Sequence, residues 1–267
     1  MNQQNLSASQ PAILLAAISA GRNENSKRTL YALETVFQRR FPGSNIYTAL
    51  FSRRQEPYNR EITAAIGQAA SSGIRTLAVQ PVCLMQGAEY SRLADWVEQC
   101  LHRFSRLVIL ISKPLLANAA DLEAVRNAVT ERMSRYHAAG TAVCLVGHGG
   151  DTADGNLYAA MQRQMLAAGC RDYFIGTVKA GAGLSLECVK KALKESGGYR
   201  RVVLVPFMIS AGFHAYRDIA GEQEGSWKRV LEQEGYETVC VLEGLGQIPA
   251  IQDLFATHTQ AALEGQQ

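Results

Sequence analysis

Short apolar runs alternate with amphipathic stretches along almost the whole chain. Eight runs read as buried strands, at 12–18, 45–50, 76–82, 107–112, 142–146, 173–178, 202–207 and 238–242. Between them lie stretches with apolar residues at helical spacing, at 25–40, 59–72, 89–103, 119–138, 154–168, 184–196, 226–233 and 249–263. Strands that are apolar throughout, without alternation, are covered on both faces. The pattern therefore predicts an α/β fold with parallel sheets. Eight strand–helix units could also close into a barrel.

An internal repeat argues for two open sheets instead. The segment from Gly73 to Arg92 aligns without a gap on the segment from Gly198 to Arg217. Gly73 then meets Gly198, Pro81 meets Pro206, Gly87 meets Gly212 and Arg92 meets Arg217. A second window sets Leu30-Tyr-Ala-Leu against Leu157-Tyr-Ala-Ala. Each half becomes four strands and four helices, the size of an ordinary domain. The expected architecture is two similar open parallel-sheet α/β domains facing each other across a cleft. Their expected limits are 1–118 and 141–248, joined by a connecting helix at 119–140. The repeat also bears on the early apolar run at 11–20, which could pass for the core of a signal peptide. No Lys or Arg precedes that run, and it has a counterpart at 142–146, so it reads as a first strand.

Composition narrows the function classes. Lys and Arg total 27 against 24 Asp and Glu, a net charge of +3 with no run of like charges, which argues against a nucleic-acid surface. A few well-placed arginines would still serve an acidic small molecule. No apolar stretch approaches the ~20 residues that span a bilayer. The six cysteines are scattered without a C-x-x-C pair, most of them inside apolar segments, so they read as buried free thiols of a cytoplasmic protein.

Open parallel sheets bind ligands beyond the carboxyl ends of their strands. Few polar residues fall there. Glu89 and His214 occupy equivalent places in the two repeats, each two residues after the repeated glycine, and His148 sits in a Gly-His-Gly turn. Without the repeat, His148 and His214 would read as two ordinary loop histidines. With it, two imidazoles and a carboxylate form a ligand set suited to Co²⁺, Ni²⁺, Fe²⁺ or Zn²⁺.

At these residues the chain resembles the anaerobic-type sirohydrochlorin cobaltochelatases, the CbiK family of class II chelatases. The resemblance rests on Leu145-Val-Gly-His148-Gly, Gly87-Ala-Glu89-Tyr and Pro206-Phe-Met-Ile-Ser-Ala-Gly-Phe-His214-Ala. It extends to Gly225-Ser-Trp227-Lys and to Leu242-Glu-Gly-Leu-Gly-Gln-Ile-Pro249-Ala-Ile, and so covers nearly the whole chain. It implies two facing α/β domains with a tetrapyrrole between them, and a last helix, 249–263, that returns toward the first domain. It further implies that His148 and His214 bind the metal and serve proton removal, with Glu89 as the acidic partner. The metal is then a substrate, Co²⁺ first and Fe²⁺ or Ni²⁺ after it, and no organic cofactor is needed. Two departures stand out. Lys179 occupies a position where the family carries Glu, and Ser19-Ala-Gly-Arg22-Asn replaces Phe-Gly-Thr-Ser.

Arg22, Met85, Lys179 and Phe213 are the expected contacts to the tetrapyrrole; Arg22, Arg53, Arg54, Arg92 and Arg217 are candidates for its carboxylate rim, each of which reads first as a solvated helix or loop charge. His102, His137 and His258 read as structural, and Trp96 and Trp227 as helix-to-sheet packing. The main alternative function is a non-catalytic tetrapyrrole or haem binder on the same fold, and a two-domain solute-binding protein is a third. Self-association into a homo-oligomer is compatible with all three.

Overall fold

The computed structural model describes residues 10–18, 24–51, 58–150, 152–179 and 184–265. The chain forms two compact units. One comprises Met1–Ser19, Leu33–Leu115 and Asp253–Gln267, the other Ala20–Ala32 and Leu116–Gln252.

The first unit is built on a parallel sheet in the order β2-β1-β3-β4, from β1 (Ala12–Ile18), β2 (Ile46–Phe51), β3 (Thr76–Val82) and β4 (Val108–Ile111). The central strands β1 and β3 are buried almost end to end, as continuous apolar runs require. The edge strand β4 is only four residues long, and its first residue, Val108, is exposed. Brevity of this kind protects an edge from pairing with other chains. Helices α1 (Glu24–Arg40), α2 (Tyr58–Ser71) and α3 (Ala88–Arg103) follow the first three strands. Ile62 and Ile66 of α2 and Leu93 and Val97 of α3 pack with Leu14, Ala16 and Val79 of the sheet. Each such side chain contributes roughly 1.5–3 kcal/mol when fully buried. Trp96 packs against this core and meets Phe51 edge-on, as expected of a helix-to-sheet contact. Helix α8 (Pro249–Leu263) belongs to this unit from Asp253 onward. It is held by a buried hydrogen bond in which the Thr259 hydroxyl donates to Gln80 Oε1 at 2.8 Å.

The second unit repeats the plan. Its sheet runs β6-β5-β7-β8, from β5 (Thr141–Gly147), β6 (Tyr173–Thr177), β7 (Arg201–Pro206) and β8 (Glu237–Cys240). The two strand orders are the same once numbering is shifted by four. The repeated prolines also take matching register slots, Ala16 opposite Pro81 and Val146 opposite Pro206.

Helices α4 (Ala119–Met133), α5 (Thr152–Ala167), α6 (Leu186–Ser196) and α7 (Trp227–Gln233) complete this unit. A capping box starts α4. The Asn118 side chain accepts from Ala120 and Asp121 backbone N–H, and Asp121 accepts in return from Asn118 N–H. The helix ends at Met133, short of the expected 138, because a 3-10 turn takes over at Ser134–Tyr136. The Gly-Ser-Trp-Lys segment is structural. Gly225 turns with φ +86°, Ser226 caps α7 through Arg229 N–H, and Trp227 is buried in the core. A methyl group on Gly176 would stand 2.3 Å from the Trp227 ring, which explains a glycine in the middle of β6.

The cysteines depart from expectation. Only Cys83, Cys100 and Cys144 are buried, whereas Cys170 and Cys240 are half-buried and Cys188 is exposed. Cys188 lies at the start of an amphipathic helix and points away from its packed face. All six are free thiols. Among the described residues, no helix is long and apolar enough to cross a membrane.

Candidate active site

In the second unit the chain passes from β5 outward to β6, then crosses to the other side of β5 to form β7. The gap beyond the carboxyl ends of β5 and β7 is therefore the point where strand order reverses, the usual ligand position in such sheets. His148 follows β5 directly, and His214 follows β7 by one short loop. Their imidazole centroids are 4.7 Å apart, with the rings inclined at 71°.

The His148 turn leaves no room for larger neighbours. A methyl on Gly147 would fall 2.3 Å from the ring of buried Tyr158. Gly149 has φ +72°, and a methyl there would lie 2.5 Å from the Lys179 carbonyl oxygen. The turn is also tied to the end of β6. Val178 N–H donates to Gly147 O and Lys179 N–H to His148 O, each at 2.9 Å. The Thr177 hydroxyl closes the arrangement by donating to Lys179 O at 2.8 Å. Lys179 thus braces the histidine turn through its backbone, while its side chain is exposed.

His214 opens a short π-helical turn, Ala215–Ile219, whose backbone closes when Ala220 N–H donates to Ala215 O. Wide turns of this type are frequent at functional sites. Three rows of residues four apart run along it. Ala215 and Ile219 are fully buried in the unit's core and anchor the turn. Phe213 and Arg217 form an outer row, with the guanidinium 5.4 Å from the ring centroid. His214 and Asp218 form the row between them, joined by a 2.5 Å contact from Nδ1 to Oδ2. The apolar pattern predicts a loop here and does not single out Asp218. The i, i+4 spacing of His214 and Asp218, in phase with apolar Ala215 and Ile219, was the available signal.

Both imidazoles use Nδ1 locally, His148 toward Gly149 O at 2.7 Å and His214 toward Asp218. In each, an Nδ1–H donor leaves the lone pair on Nε2. Such a pair can bind a divalent ion, accept protons, or do both in turn.

The structure brings His148 and His214 together and sets Phe213 beside the latter, with ring centroids 5.7 Å apart. Phe213 is 58% exposed. Glu89 and Met85 belong to the first unit, Glu89 in the first turn of α3 and Met85 in the loop after β3. Buried Cys83 lies near them, and burial followed by the charge of Glu89 pushes its thiol pKa far up. Among the described residues, no group of three or more His, Cys, Asp or Glu side chains is placed to hold a metal ion. Arg22, Arg53 and Arg54 lie outside the described residues. His137 meets Tyr173 and Asp172, and His258 is buried in α8.

Known proteins resemble this chain in sequence and in fold. The chain is 28% identical to the sirohydrochlorin cobaltochelatase CbiKC of Nitratidesulfovibrio vulgaris, over 98% of its own length and 93% of that protein's. It is 24% identical to the sirohydrochlorin cobaltochelatase of Salmonella typhimurium, over 94% and 96% of the two lengths. Among solved structures, SirB from Bacillus subtilis with Fe³⁺ shares the fold with a TM-score of 0.71 at 17% identity, covering 96% of this chain and 98% of that one. The model of the family described as cobalt chelatase (CbiK) matches residues 11–264, and the chain belongs to that family.

Proposed function

We propose that this protein is a sirohydrochlorin cobaltochelatase of anaerobic cobalamin biosynthesis, inserting a divalent metal, Co²⁺ by preference, into the free ring. The observation that carries the reading is the paired imidazoles at the strand-order reversal of the second unit. Family membership and near full-length likeness to two sirohydrochlorin cobaltochelatases support the substrate.

Insertion exchanges two pyrrole N–H protons for one M²⁺. The groups that serve it must hold an ion without keeping it and must accept protons at neutral pH. Neutral imidazoles do both. His148 and His214 offer Nε2 to the ion. As the ion passes to the four ring nitrogens, the imidazoles are released and take up the displaced protons. A small set of protein ligands suits an ion in transit, because a closed coordination shell would retain it. Arg217, beside Phe213, is our candidate for a carboxylate on the ring's rim, and the exposed Phe213 face suits a flat macrocycle.

The test is anaerobic incubation of the protein with sirohydrochlorin and Co²⁺, Fe²⁺ or Ni²⁺ in turn, followed by absorbance. Protein-dependent formation of the metallated ring, fastest with Co²⁺, is expected. Conversion no faster than without protein would overturn the assignment.

A further inference from the structure

The Asp218 carboxylate has its two oxygens committed to different neighbours. Oδ2 meets His214 Nδ1 at 2.5 Å, and Oδ1 faces Arg217 Nε at 3.9 Å. The aspartate is about one-quarter exposed and His214 about one-third, so the contact is partly screened from water. Its backbone is fixed by Ile219, which is fully buried next to it, and His214 is fixed in the same way by Ala215. The turn therefore sets the distance between the two side chains, and neither has to be recruited by the ligand.

We propose that Asp218 is a positioning residue for metal delivery: it holds His214 in the Nδ1–H tautomer, with the ring oriented so that Nε2 carries the lone pair. This rests on the reading of His214 as a metal ligand. A carboxylate acceptor selects the Nδ1–H form and fixes the ring's rotation. His148 has its own Nδ1 contact, to the carbonyl of Gly149 in its turn at 2.7 Å.

Losing a carboxylate behind a metal-binding histidine typically costs about 10–100-fold in metal affinity or activity. Asp218→Ala is expected to raise KM for Co²⁺ at least tenfold while leaving KM for sirohydrochlorin within about twofold of the parent. Nitrogen-detected NMR of the imidazoles, above their titration range, reads the tautomer directly. The parent should show His214 protonated at Nδ1, and Asp218→Ala should move that proton wholly or partly to Nε2. Asp218→Asn keeps the side chain's size, so a packing role would leave it unchanged. A neutral amide is a weaker acceptor, and a severalfold rise in KM for Co²⁺ is expected there too. An unchanged His214 tautomer in Asp218→Ala, or parental KM values for Co²⁺ in Asp218→Asn, overturns the proposal. His214→Ala separates the two readings. Parental insertion by that variant would remove the metal-ligand reading, whereas the tautomer of His214 reports on Asp218 whether or not the protein turns over.

Discussion

His148 and His214 come from loops separated by two strands and two helices, yet their ring centroids are 4.7 Å apart. Register brings them together. Val146 of β5 pairs with Pro206 of β7, so the two strands end side by side and their following loops share one edge. The proximity is a property of the sheet and does not require a ligand to assemble it.

The glycines around His148 should be intolerant of any side chain. In Gly147→Ala the added methyl meets the Tyr158 ring, and in Gly149→Ala a positive φ is combined with a carbonyl oxygen at 2.5 Å. Each should cost about 1–3 kcal/mol of stability through displaced packing. Thermal melts would show the loss, and Gly73→Ala provides the control. Gly73 also has positive φ, +77°, but nothing stands within 4 Å of its added methyl. Equal melting temperatures for Gly149→Ala and Gly73→Ala would mean that the crowding around His148 is immaterial.

Lys179 should matter to the metal through its charge and to the fold through its backbone. Its N–H and carbonyl brace the histidine turn in any variant, so Lys179→Glu should fold as the parent does. The side chain is exposed, which limits its electrostatic effect to a fraction of the raw Coulomb figure. Replacing the cation with an anion should tighten Co²⁺ binding by about two- to fivefold, in keeping with an exposed charge. Calorimetric titration under nitrogen measures it. Equal affinities would show that the side chain has no influence on the ion.

Most of the fold was legible in the sequence because its signals are local. β1, β3, β5 and β7 are continuous apolar runs, and the repeat of glycine, proline and arginine positions announced two like units. Strand limits shifted by only a residue or so, as with β2 at 46–51 against an expected 45–50. What escaped were features that exist only once distant segments meet. Asp218 looks like a solvated charge until the π-helical turn sets it against His214. Lys179 drew attention for its ammonium, whereas its described contacts are made by its peptide groups. The need for glycine at 147 is invisible without Tyr158, which lies eleven residues further on. Apolar surroundings in sequence also do not say where a cysteine sits: Cys170 lies in the turn after α5, Cys188 on the exposed side of α6 and Cys240 at the end of the edge strand β8.

Stability should decline in alkali. Burial pushes the thiols of Cys83 and Cys144 well above their ordinary value of 9.0. Below that value folded and unfolded chains both carry these protons, and the stability is fully present. Above it the unfolded chain releases protons that the folded chain retains, so the unfolded state gains and stability falls as pH rises. The melting temperature should drop between about pH 9 and pH 11, with a shallower slope in Cys144→Ala. Parallel slopes for parent and variant would remove the buried thiol as a cause.

The most direct test of the central claim compares insertion of Co²⁺ into sirohydrochlorin by the parent, His148→Ala and His214→Ala at saturating metal and ring, under nitrogen. Both imidazoles are only partly buried, so each variant should keep the parent's fold and melting temperature. Each variant is expected to lose at least about a hundredfold in kcat, the range in which general acid–base groups contribute. Parental rates in either folded variant would contradict the claim.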